Sequence, residues 1–132
     1  MIKRIFILSL FCFATFILFG QKKQSNQKDL ITFKELTHDY GTIEVGSPGH
    51  CEFKFTNNMK KALVISNVKP SCGCTVANWP KEPILAGKTG VIKLTYNTKI
   101  PGTFYKTIAV TSNAKNAAVI LRIKGNVIRL QK

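Results

Sequence analysis

The chain has 132 residues, 20 Lys and Arg against 6 Asp and Glu, a formal charge of +14, 45% hydrophobic residues and four cysteines. That is enough for one domain with a modest core and leaves no room for a second. Two His and six acids are a thin supply for acid–base catalysis, and no Walker loop, dinucleotide fingerprint, calcium loop or G-x-S-x-G elbow occurs.

Lys3 and Arg4 precede an apolar run over residues 5–19, broken only by Ser9 and Thr15, and Gly20-Gln21 is a small-residue step into a polar stretch. This order predicts a secretory signal peptide over residues 1–20 and a flexible leader over 21–29. The run is short of the roughly 20 residues that cross a bilayer. Leu18 at the −3 position departs from the small residue preferred there, which keeps an uncleaved anchor as the alternative. Cys12 lies inside the run rather than at its end, so lipid anchoring is not expected. The remainder, residues 30–132, reads as one domain, exported to the periplasm or beyond.

After removal of Lys3 and Arg4, eighteen basic residues face six acids, a net charge of +12. Such a balance attracts anionic partners, including an anionic envelope component. It equally describes a solvated, Lys-rich surface that discourages edge pairing. Sixteen of the eighteen are Lys, spread along the chain, with only Arg122 and Arg129. Nucleic-acid readers cluster their basic residues and favour Arg, so no specific nucleic acid is expected.

Residues 31–37 suggest a first strand, broken by His38-Asp39-Tyr40-Gly41 and resumed over 42–45. A turn follows at Gly46-Ser47-Pro48-Gly49. Residues 50–56 alternate, with Cys51, Phe53 and Phe55 on one face and His50, Glu52, Lys54 and Thr56 on the other, as in a half-buried strand. Residues 57–61 form a polar connection. Residues 62–68 form a strand with Leu63 and Ile65 inward, followed by the cysteine-bearing loop 69–75 and a short strand over 76–79 stopped by Pro80 and Pro83. Three further strands are expected: 91–97 with Ile92, Leu94 and Tyr96 inward; 103–111 with Phe104, Ile108 and Val110 inward; and 118–128 with Val119, Leu121 and Ile123 inward. No stretch sustains a helical period. About seven short strands with turn signals every dozen residues predict an all-β, immunoglobulin-like β-sandwich.

With Cys12 lost in the signal, Cys51, Cys72 and Cys74 remain, an odd number in an oxidising compartment. The strand after Cys51 is expected to run back antiparallel to it, so the loop emerges at the same end of the sandwich as Cys51, and a bridge from Cys51 to Cys72 or Cys74 is geometrically accessible. A Cys72–Cys74 bridge would close a very small ring. Four readings follow: a structural turn, with or without a Cys72–Cys74 link; a Cys51-to-loop bridge leaving one thiol for partner coupling; a metal site from His50, Cys51, Cys72 and Cys74; and a redox-active dithiol. Cys-x-Cys without a second pair is a weak metal signal. His50 should point away from Cys51 on one strand, and no thioredoxin-like setting accompanies the dithiol. No cofactor is expected. His38 and Asp39 with Ser47, Ser66 or Ser71 do not suggest a triad, because neighbours on a strand diverge.

Several segments together resemble a bacterial family of exported proteins, common in Bacteroidetes-type bacteria and known as domain of unknown function 1573. They include Asp39-Tyr40-Gly41-Thr42-Ile43, Phe53-Lys54-Phe55-Thr56-Asn57 and Leu63-Val64-Ile65. The most specific is Pro70-Ser71-Cys72-Gly73-Cys74-Thr75 with the following Trp79-Pro80. Gly102-Thr103-Phe104-Tyr105, Val110-Thr111-Ser112-Asn113 and Lys124-Gly125 complete the set. The resemblance implies an immunoglobulin-like sandwich similar to Hydin-type and pilus-chaperone domains, which bind or space other proteins. It supplies no catalytic residues. The chain departs from the pattern at Asn57-Asn58-Met59-Lys60 and Ala86-Gly87, both in turns, and Cys51 lies outside it. The expected function is therefore a non-catalytic, exported module for protein interaction or scaffolding in the cell envelope. The alternative is a metal-binding or thiol-redox protein built on the motif loop Ser71, Cys72, Gly73, Cys74 and Thr75.

Overall fold

A computed structural model describes residues 28–131; the expected signal peptide and most of the leader lie outside them. Among the described residues eight strands form two four-stranded sheets. One sheet has the order β1 (Ile31–Phe33), β3 (His50–Asn57), β6 (Thr89–Tyr96), β5 (Thr75–Asn78). The other has the order β2 (Thr37–Glu44), β8 (Ala118–Ile128), β7 (Gly102–Ser112), β4 (Ile65–Pro70). All pairings are antiparallel except that of β2 with β8. The chain is an all-β, immunoglobulin-like β-sandwich.

Alternation along the strands makes the core. Phe53 and Phe55 of β3 and Ile92 and Leu94 of β6 meet Ile108 and Val110 of β7 and Leu121, Ile123 and Val127 of β8, all essentially inaccessible to water. Each such side chain contributes roughly 1.5–3 kcal/mol on burial. These are the inward faces expected from period-two patterning.

Three expectations need correction. The first strand does not run through residues 31–37. The chain leaves one sheet at Phe33, crosses at Lys34-Glu35-Leu36 and enters the other at Thr37. The crossing is fixed by the Lys34 N–H donating to the Lys54 carbonyl at 2.9 Å and the Arg122 N–H donating to that of Leu36 at 2.8 Å. His38-Asp39-Tyr40-Gly41 does not break a strand either. It is a bulge inside β2, where the register to β8 shifts. Gly41 takes φ +66°, which a residue with a Cβ adopts only at a cost, and its N–H donates to the Asp39 carboxylate at 2.8 Å. Finally, β3 and β4 lie in different sheets and are not antiparallel neighbours. Leu63 makes an isolated bridge to Ile84 before β4 begins at Ile65.

Candidate functional site

β4 ends at Pro70, whose missing N–H is tolerated on an edge strand. The next four residues carry the chain from one sheet to the other. At one end the Ser71 N–H donates to the Thr107 carbonyl at 2.8 Å, and the Thr107 N–H donates to the Ser71 hydroxyl at 3.2 Å. At the other end the Asn97 N–H donates to the Cys74 carbonyl at 2.8 Å, and Thr75 opens β5 opposite Tyr96. Between these anchors Cys72 and Cys74 form a disulfide with a Cα–Cα distance of 5.3 Å. Cys74 packs against the core, while Gly73 at the crown is exposed, with open space where a Cβ would stand.

Cys51 is a buried free thiol and does not bridge to the loop. Its row in the sheet runs through Leu94 of β6 to Ala77 of β5, so two strand spacings, roughly 9–10 Å, separate it even from β5. That exceeds the reach of a disulfide. His50, one residue away, is on the outer face with its Nδ1 3.0 Å from the Thr95 hydroxyl. The four residues of the metal reading are thus divided: one outside, one inside, two joined to each other. Among the described residues no three His, Cys, Asp or Glu side chains converge. His38 and Asp39 also part company. The His38 ring packs edge-on against Tyr40 at 4.5 Å, while Asp39 holds the bulge and faces Lys124 at 3.7 Å.

Behind the loop, Tyr96 stacks on Phe104 at 3.9 Å and Tyr40 packs against both, its hydroxyl donating to the Gly49 carbonyl at 2.7 Å. Burial pushes the Tyr40 phenol upward from its ordinary pKa, and the neighbouring Cys51 thiol adds to it. Burial likewise raises Cys51, partly offset by hydrogen bonding with Tyr40, and raises Tyr96. In the unfolded chain these groups ionise near 9 and 10. The native state holds their protons longer, so stability is full below that range and falls as pH rises through it. Urea midpoints measured from pH 7 to 11 should be level at first and decline from about pH 9. A flat profile to pH 11 would remove the buried phenol–thiol cluster as a contributor.

β5 forms one edge of its sheet, next to the loop. The hydrogen bond from Asn97 to Cys74 fixes the alternation: Val76 and Asn78 turn their main-chain groups to β6, and Ala77 turns its own off the edge. Val76 is 68% exposed on the outer face. There a shallow depression is lined by His50, Glu52, Val76, Asn78, Lys93 and Thr95. Beyond β5 the Lys81 ammonium lies over the Trp79 indole, a cation–π contact. The sequence pointed to the loop; it did not disclose the bare edge beside it, because pairing partners are not written in alternation.

No curated protein matches the chain. Among solved structures it is similar to a protein of unknown function from Porphyromonas gingivalis W83, at 12% identity and TM-score 0.65, over 76% of this chain and 47% of that one. It is also similar to PapD-like domain 7 of human CEP192, at 9% identity and TM-score 0.63, over 78% and 88%. A third similarity is to the secreted serine protease VesC from Vibrio cholerae, at 16% and 0.59, over 77% and 24%. The chain spans about half of the Porphyromonas protein and a quarter of VesC. At these identities the likeness is one of fold. The model of the family described as "Protein of unknown function (DUF1573)" matches residues 31–127, and the chain belongs to that family.

Proposed function

We propose that this domain is an exported, non-catalytic interaction module that binds a protein partner by strand addition at β5. The supporting observation is the contrast among its four sheet edges. β1 has three residues and runs into Lys34. β2 carries the bulge between Asp39 and Thr42. β4 carries Lys69, Pro70 and a register irregularity. Shortness, Lys, Pro and bulges are the devices that keep edges from pairing. β5, Thr-Val-Ala-Asn, is short but has no charge, proline or register shift, and it exposes Val76. An added strand would gain main-chain hydrogen bonds at Ala77 and side-chain contact at Val76. The export reading comes from residues 1–20, and the positive charge adds attraction to an anionic partner in the envelope.

The test is capture from an envelope extract by the wild type, Ala77→Pro and Val76→Lys. Proline at Ala77 removes an outward N–H without touching the ladder to β6. Both variants should keep the wild-type melting profile and lose at least about tenfold in captured partner, the equivalent of one or two hydrogen bonds. Undiminished capture by both would exclude β5 as the docking edge.

A further inference from the structure

We infer that the Cys72–Cys74 disulfide is an exchangeable bond through which the domain couples covalently to a thiol, with Cys72 the sulfur attacked and Cys74 the sulfur released. Strand addition at β5 is a separate matter, since exchange requires neither Ala77 nor Val76.

The bridge does little to hold the fold. It spans a sequence separation of two, and a bridge constrains the unfolded chain less the shorter the loop it closes. The loop's ends are held without it: Ser71 by two hydrogen bonds to Thr107, Cys74 by one from Asn97. Opening the disulfide leaves β4 and β5 in place. An extracellular structural disulfide, by contrast, closes a long loop and resists reduction.

The two sulfurs differ. Cys74 is packed against the core and its carbonyl is fixed to the end of β6. Cys72, half-buried like Cys74, is outside that packing, between the exposed Ser71 and the exposed Gly73, where nothing stands within 4 Å of a Cβ position. A nucleophile therefore approaches Cys72 in line with the S–S bond, pushing out Cys74. The departing sulfur lies 4.0 Å from the Thr75 hydroxyl, a buried donor placed to receive a thiolate.

The step balances without an added oxidant. A ligand thiolate attacks Cys72 Sγ, the ligand S–Cys72 bond forms, and the Cys72–Cys74 bond breaks. Cys74 leaves with the electron pair and takes up the proton the ligand thiol gave to solvent. The reverse attack by Cys74 on Cys72 releases the ligand and restores the bridge, so coupling is reversible. The ligand class is a thiol, carried either by a small molecule or by a protein cysteine.

The oxidised protein would be incubated with millimolar glutathione or with a cysteine-bearing peptide, quenched in acid, alkylated and peptide-mapped. The expected result is ligand on Cys72 and alkyl label on Cys74, with Cys51 unmodified in its core position. Stronger labelling by the peptide than by glutathione would identify protein cysteines as the ligand source, and the opposite order small thiols. In a second arm, Cys74→Ser and Cys72→Ser would be treated with oxidised glutathione. The first should form its mixed disulfide at least about tenfold faster, since it retains the sulfur outside the core packing. An intact bridge with both probes, or equal modification of the two sulfurs in both arms, would overturn the inference.

Discussion

Replacing Asn57 by alanine is expected to destabilise the domain by on the order of 2–6 kcal/mol, a large share of a total stability of about 5–15 kcal/mol. Asn57 ends β3 and is completely buried. Its Nδ2 donates to the carbonyls of Lys61 and Ile84, both at 2.8 Å, and its Oδ1 accepts from the Met59 N–H at 2.8 Å. One amide thus ties together main-chain groups of two separate segments. Alanine leaves the Met59 N–H and the Lys61 carbonyl without a partner, at about 1–3 kcal/mol each, and takes one of two bonds from the Ile84 carbonyl, which keeps the Leu63 N–H. Asn57→Asp should be no better. It keeps an acceptor for Met59 but loses both donors and sets a carboxylate against two carbonyls away from water. Urea unfolding of the two variants checks this, and a loss below about 1 kcal/mol for alanine would mean that water replaces the amide.

Asn57 also shows where the sequence stops being legible. Residues 57–61 read as a polar connection, yet Asn57 and Met59 are among the most buried residues. A polar side chain that organises a buried turn has the same letter as one that faces solvent; only the carbonyls around it distinguish them. The strands with clean alternation, β3, β6 and β8, were legible because a period of two assigns each residue to a face. Which strand lies beside which was not. Alternation is blind to the sheet switch at Lys34-Glu35-Leu36, and the separation of β3 from β4 follows from that same blindness. For this reason a Cys51-to-loop bridge looked accessible in the chain and is out of reach in the fold. The loop was conspicuous through its composition, whereas the asymmetry between Cys72 and Cys74 depends on which sulfur meets the core.

Gly49→Ala should be nearly as damaging, for a steric reason. Gly49 precedes β3 and is buried, and its carbonyl accepts both the Tyr96 N–H at 2.8 Å and the Tyr40 hydroxyl at 2.7 Å. A Cβ here would fall well inside van der Waals contact with the Tyr96 carbonyl oxygen and would also crowd Thr98. The obstacle is backbone of the neighbouring strand, which cannot swing aside as a side-chain tip does. Relief requires moving the start of β3 away from the end of β6, which breaks the Tyr96 bond, withdraws the acceptor from Tyr40 and loosens the stack of Tyr96 on Phe104. A loss of about 3 kcal/mol or more is expected, together with a weakened near-ultraviolet tyrosine signal. Gly73→Ala is the matched control. It adds the same methyl group at the exposed crown of the disulfide loop, where nothing stands within 4 Å, and should change stability by less than about 0.5 kcal/mol. Equal unfolding midpoints for the two variants would show that the close approach at Gly49 relaxes without cost. A large difference would locate the constraint where β3 and β6 meet, beneath the same aromatic cluster that underlies the loop.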